Sequence, residues 1–130
     1  MHLLDTNTLI YFFKKEGRVA ERLLALPPDR IAVPVIAVCE IEFGIAKSRH
    51  PGAAAKQLEE FLSWVTVLPF GRPESTAAAG LRARLELNGH PIGPWDTLIA
   101  GTALANHAIL VTRNTGEFGR IKELKIENWY

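Results

Sequence analysis

Residues 93–112 read GPWDTLIAGTALANHAILVT, and this stretch decides the fold class. Gly93 and Pro94 open it, proline suiting a first helical position because the N–H it lacks has no partner there. From Trp95 onward the residues are apolar or small on nearly every face, which predicts a helix to about residue 106, the most buried of the chain. Residues 108–112 are a continuous apolar run, too short for a helix and without the alternation of a half-exposed strand. A buried helix feeding a strand covered on both faces predicts a parallel sheet between helical layers.

Outward from there the same alternation repeats. Residues 1–5 predict a short buried strand, residues 8–14 and 18–26 two helices, and residues 30–33 a second strand. Residues 34–47 predict a third helix with Pro34 in its first turn and Pro51-Gly52 as its stop. Leu58, Phe61, Leu62 and Val65 stand at helical spacing before a third strand at 66–70. Ala78, Leu81 and Leu85 mark another helix, capped by Asn88-Gly89. After residue 112 come a helical turn at 114–118 and a short edge strand at 125–129. No linker, repeat or low-complexity segment interrupts the pattern, so the reading is one α/β domain over residues 1–130.

Composition narrows the function. At 48% hydrophobic and 22% charged, the 130 residues match a folded domain and exclude disorder, coiled coil and collagen-like repeats. No apolar run approaches a bilayer span and the first residues lack a signal-peptide pattern. Cys39 is the single cysteine, which leaves no internal disulfide and fits a reducing, cytoplasmic setting without membrane attachment. A net charge of +1 neither attracts nor repels nucleic acid as a whole, so the distribution of charge decides.

That distribution is uneven. Only Asp5, Asp29 and Asp96 are aspartates, and Asp5 and Asp96 lie inside strongly apolar stretches. A carboxylate among apolar neighbours needs a hydrogen-bond partner, a countercharge or a metal. Asp5 follows the first strand, Asp96 begins the helix that leads to the 108–112 strand, and Asn114 and Glu117 follow that strand. Ligands of open parallel sheets bind at the strands' carboxyl ends, where these residues can meet. Glu40 joins them from the third helix, with Gly44 one turn on leaving room for a neighbour. Two carboxylates 4 Å apart repel by about 4 kcal/mol at an effective dielectric of about 20, so four together call for a cation. Oxygen ligands without a His or Cys cluster suit Mg²⁺ or Mn²⁺, and the matching chemistry is phosphodiester hydrolysis.

Each residue also has a plain structural reading. Asp5 can cap the helix after it, Asp96 can serve a helix N-terminus, and Asn114 can cap a turn. Glu40 can be solvated and partnered by Lys47, with Glu42 competing for the inward role, and Glu117 can lie on the surface. His2, His50, His90 and His107 have no ligand spacing, and Trp64, Trp95 and Trp129 read as packing residues.

Taken together, Leu3-Leu4-Asp5-Thr6-Asn7, Glu40 ahead of Gly44, Pro91-Ile92-Gly93-Pro94-Trp95-Asp96, and Val111-Thr112-Arg113-Asn114-Thr115-Gly116-Glu117-Phe118 resemble a PIN domain. With the closing Leu124-Lys125-Ile126-Glu127-Asn128-Trp129, the order and spacing resemble the VapC toxins of bacterial toxin–antitoxin pairs over essentially the whole chain, most of all those cutting initiator transfer RNA in the anticodon stem-loop. The resemblance implies a PIN-like three-layer α/β fold with four or five parallel strands. It implies a Mg²⁺ or Mn²⁺ site of Asp5, Glu40, Asp96 and Glu117, with Thr6, Asn7, Thr112 and Asn114 orienting ligands or water. Many PIN domains carry an aspartate where this chain has Asn114, which makes Glu117 the candidate fourth carboxylate. It also implies a homodimer and a VapB-type antitoxin, whose C-terminal segment enters the groove beside the active site within a larger complex.

For RNA, the residues themselves offer Lys14, Lys15, Arg18, Lys47, Arg49, Arg82, Arg84, Arg113 and Arg120. Arg113, next to the proposed site, is the first candidate for phosphate contact, with Lys14, Lys47 and Arg84 beside it. Such contacts give affinity without choosing a sequence, which leaves specificity to the shape of a folded RNA loop. Two rivals begin with a strand ending Leu-Leu-Asp. An aspartate-nucleophile phosphatase normally has Asp-x-Asp, where this chain has Asn7, and a non-enzymatic phospho-receiver domain needs paired acids and a late lysine that are missing here.

Overall fold

The computed structural model describes residues 1–130. Five strands, β1 (His2–Leu4), β2 (Ile31–Pro34), β3 (Thr66–Leu68), β4 (Ile109–Val111) and β5 (Ile126–Glu127), form one parallel sheet in the order β3-β2-β1-β4-β5. Leu3 stands opposite Ala32 on one side and Leu110 on the other, which makes β1 the central strand. The chain moves outward from β1 through β2 to β3 and then returns to β4 on the opposite side of β1. Strand order therefore reverses between β1 and β4, and a crevice opens at their carboxyl ends.

Side chains of successive strand residues point to opposite faces, and the core divides accordingly. Leu3, Ala32 and Leu110 pack on one face with Leu81, Ile99 and Phe118. Leu4, Val33 and Val111 pack on the other with Leu9, Leu23, Phe61 and Trp129. Helices α1 (Thr6–Lys14), α2 (Val19–Leu24), α3 (Val35–Ala46) and α4 (Pro51–Leu62) cover this second face. Helices α5 (Arg72–Leu87) and α6 (Pro94–Ala105) cover the first, and the short α7 (Thr115–Phe118) follows β4. The expected three-layer α/β architecture is present with five strands, and no helix is long and apolar enough to cross a membrane.

Four expectations shift. Pro34 ends β2, paired with Leu68, instead of entering the first turn of α3. Pro51 opens α4 instead of only stopping α3, because a proline that ends one helix is equally suited to begin the next. Trp64 and Trp95 are exposed and only Trp129 is packed. Gly44 has nothing within 4 Å of where a Cβ would stand, so no neighbour enters there.

The close approach occurs at Gly101, the centre of the buried α6. A Cβ on Gly101 would stand 2.6 Å from the Ala78 Cβ and 2.8 Å from the Ala78 backbone nitrogen, so α5 and α6 touch backbone to backbone. Gly101→Ala is expected to destabilise the fold by about 1–3 kcal/mol through overpacking. Gly44→Ala, in open space on a helix, is expected to stabilise by about 0.5–1 kcal/mol. Urea unfolding of the two variants beside the wild type checks both signs.

Candidate active site

The crevice is built from the ends of β1 and β4. Asp5 follows β1 in extended conformation and caps α1, its Oδ1 accepting from the Thr8 N–H at 2.8 Å. The Asp5 N–H donates to the Val111 carbonyl at 3.1 Å, and the Thr8 hydroxyl donates to the same carbonyl at 3.1 Å. One residue thus fixes the central strand, its neighbour β4 and the first helix. Asp5 is only 5% exposed, and burial pushes its carboxyl up, opposed by hydrogen bonds from Thr112 and Thr8. The structure shows the capping role of Asp5, and its carboxyl sits at the carboxyl end of β1, beside β4.

Asp96 enters from the opposite direction, in the first turn of α6. Its carboxyl is pushed up to about 6, first by desolvation and then by the negative fields of Asp5, Glu117 and Glu40. Those fields mark out the four acids that the sequence suggested as one electrostatic group. The outer two are held in place. The Thr6 hydroxyl donates to Glu40 Oε1 at 2.6 Å, and Asn114 Nδ2 donates to Glu117 Oε2 at 2.9 Å. The fully buried Thr112 accepts from the Asn114 N–H at 3.0 Å, and Asn114 Oδ1 caps α7 by accepting from the Glu117 N–H at 3.4 Å.

No three of these side chains stand close enough together to enclose a metal ion. Two of them are held by neighbours, Glu40 by the Thr6 hydroxyl and Glu117 by the Asn114 amide. The donor set itself, four carboxylates with threonine and asparagine oxygens nearby, fits a hard divalent cation and offers no soft ligand.

The basic residues divide. Arg113 does not reach freely into the crevice: its guanidinium carbon lies 3.6 Å from the Tyr130 ring centroid and 5.7 Å from that of Tyr11. Lys14 closes α1, roughly 12 Å along the axis from Thr6. Arg84 is ion-paired with Glu123. Lys47 sits just past α3 with Nζ 5.0 Å from the Phe43 ring centroid. Arg82 and Arg120 stand near the start of α6 instead: Arg82 lines a cleft with Pro91, Pro94 and Thr97, and Arg120 donates to the Pro91 carbonyl at 3.1 Å. Sequence reasoning missed Thr8, which Asp-x-x-Thr cap spacing could have signalled. It also missed Trp95 and Phe43, which line an open cleft with Cys39 and Glu40 and carry no distinguishing sequence signal.

Comparison with known proteins shows the family of the fold. The PIN domain model matches residues 2–124. A tRNA(fMet)-specific endonuclease VapC from Shigella flexneri is 32% identical over 127 residues, covering 98% of this chain and 96% of that protein. A Ribonuclease VapC2 from Rickettsia felis is 35% identical over 131 residues, covering 99% and 98%. Among solved structures, DNA-bound VapBC from Salmonella typhimurium superposes with a TM-score of 0.93 at 35% identity, covering 99% of this chain and 98% of that one. VapBC2 from Rickettsia felis, bound to a fragment of its promoter, gives 0.92 at 34% identity, with 99% and 98% covered.

The acid cluster has a consequence for stability. A carboxyl raised from 3.8 to about 6 favours the protonated form in the folded state. The contribution of Asp96 is therefore undiminished below pH 4 and is lost as pH rises through 6. The displacement bounds this loss at ~3 kcal/mol, reduced to about 1 kcal/mol because Asp96 is partly exposed and solvent screens it. Asp96→Asn is expected to be more stable than the metal-free wild type by about 1 kcal/mol at pH 8, with the difference shrinking towards pH 4. Urea titrations at several pH values in EDTA check it, and a pH-independent difference would dissociate Asp96 from the cluster.

Proposed function

The chain belongs to the PIN-domain family, in its VapC branch, and on that premise we propose that it is the toxin of a toxin–antitoxin pair: a metal-dependent endoribonuclease that cuts RNA, above all initiator transfer RNA in its anticodon stem-loop. The observation that carries the reading is the placement of Asp5 at the end of β1 and Asp96 in the first turn of α6, in a chain that matches the PIN domain model over residues 2–124. The name of the Shigella flexneri relative supports the transfer RNA assignment.

Asp5, Asp96, Glu40 and Glu117 would hold the Mg²⁺ or Mn²⁺. Bound there, it supplies activation of water and neutralisation of charge on the attacked phosphate. The remaining steps belong to the protein. Asp5 is oriented by its cap to Thr8, Glu40 by Thr6, and Glu117 by Asn114, so the carboxylates present fixed faces to the crevice. Thr112 sets the position of the Asn114 backbone. Arg82 and Arg120 flank the start of α6, where they can meet a phosphate, and Arg113 does so only if its aromatic contacts open. None of these contacts reads a base.

The aspartyl-nucleophile rival is disfavoured by Asp5 itself, since a buried carboxylate with one oxygen committed to Thr8 is poorly placed to attack a phosphoryl group. We further propose a cytoplasmic homodimer that is inhibited by a VapB-type antitoxin. The VapBC complexes among its structural relatives support that partner.

Purified protein free of antitoxin, incubated with total bacterial RNA and Mn²⁺ or Mg²⁺, is expected to produce discrete cuts that EDTA abolishes. Asp5→Ala and Asp96→Ala are expected to lose cleavage by a factor of 100 or more. Both are also expected to show a smaller metal-induced rise in melting temperature than wild type. Equal cutting by wild type and both variants would refute the assignment of these carboxylates.

A further inference from the structure

Two large aromatic side chains stand open beside the carboxylates. Phe43 on α3 is 65% exposed and Trp95 at the start of α6 is 46% exposed, and they line one cleft with Cys39 and Glu40. Cys39 and Phe43 lie one turn apart on α3, so its exposed wall is apolar along the helix and faces Trp95. Single exposed apolar residues are ordinary, but two aromatics sharing one cleft form a surface that gains by being covered.

The cleft borders the acidic site through Glu40. Glu40 belongs to the carboxylate group and also lines the cleft, while Trp95 is the chain neighbour of Asp96. Lys47 places its ammonium 5.0 Å from the centroid of the Phe43 ring. Carboxylates, aromatic pair and cation therefore adjoin one another.

We propose that this cleft is a stacking site for one unpaired base of the RNA, the nucleotide flanking the bond that is cut, with Trp95 and Phe43 as its platform and Lys47 meeting the next phosphate. The proposal rests on the ribonuclease reading above. A phosphate would be repelled by Glu40. A base is neutral, offers a π face to the rings, and carries amino groups that can donate to a carboxylate. Stacking on aromatic side chains tolerates any base, so the cleft selects an unpaired nucleotide and not a sequence. It thereby acts as a filter for RNA loops with a splayed base. A second copy of the chain is the rival occupant. The sedimentation arm of the test separates it from RNA.

The test uses a synthetic hairpin reproducing the loop that wild type cuts in total RNA, intact and with single abasic sites at each loop position in turn. Trp95→Ala is expected to lower kcat/KM on the intact hairpin roughly 10-fold, the loss of one base stack, and Trp95→Phe to restore most of it. One abasic position beside the cut is expected to cost wild type the same factor, and there Trp95→Ala should cost nothing more. A loss that is equal on intact and abasic hairpins, or no loss at all, overturns the proposal. So does a wild-type dimer that Trp95→Ala converts to monomer in sedimentation with activity lost in parallel, which would make the cleft a contact between copies. Should wild type cut no RNA, the ribonuclease reading itself fails. Cleavage by wild type that is indifferent to Trp95 refutes the stacking site alone.

Discussion

A carboxylate buried at the end of the central strand is the constraint on which the rest of the structure turns. Asp5 lies between β1 and α1, bonds to β4 through its own N–H, and caps the helix through its side chain. Removing a carboxylate from water is costly unless hydrogen bonds replace the hydration, and the Thr8 and Thr112 contacts replace it in part. What remains is a group with strong demand for positive charge, in the crevice where the sheet's strand order reverses. The fold thus places a carboxyl that its hydrogen bonds satisfy only in part where a cation would relieve it.

The other acids follow from helix direction. Helices that connect parallel strands run antiparallel to them, so their N-termini gather at the strands' carboxyl edge. Asp5 caps α1, Asp96 stands in the first turn of α6, and Glu117 in the first turn of α7. Unpaired N–H groups and the positive end of each helix dipole offset some of the repulsion among them. Glu40 is the exception, placed within α3, and it is the one that needs a hydroxyl from another helix, Thr6, to hold it. The residual conflict is visible at Asp96, where desolvation and three negative neighbours act together.

Where a single physical rule governed, the sequence was legible. Continuous apolar runs at Ile109–Val111 and Ile31–Pro34 became central strands because both faces are covered, and Asn88-Gly89 closed α5 with Gly89 at a φ of +74°. The acids Asp5 and Asp96 were conspicuous because a charge in an apolar stretch demands an explanation. Where two rules competed, tertiary packing chose. Pro51 can end a helix or begin one, and only the packing of Leu58 and Phe61 into the core decides that α4 starts there. Gly44 and Gly101 are both helical glycines, yet only Gly101 meets a neighbouring backbone, which no local pattern encodes. Arg84 and Arg82 stand two residues apart on α5. Glu123, far along the chain, takes the first, while the second pairs one turn on with Glu86 beside the entrance to α6.

Charge explains why recognition cannot rest on the acidic crevice. A chain of net charge +1 exerts no long-range pull on RNA, and beyond about 8 Å at physiological salt its separate charges are screened. At short range the carboxylates repel each phosphate while the flanking cations are few and partly engaged, Arg113 on Tyr130 and Lys47 on Phe43. Affinity built from phosphate contacts alone would therefore be weak and non-selective. Contacts insensitive to the repulsion have to supply the difference, and an aromatic surface bordering the carboxylates is of that kind. The same electrostatics favours any partner that brings a cation into the crevice, so the feature that makes the site demanding for its substrate makes it easy to block with a basic side chain.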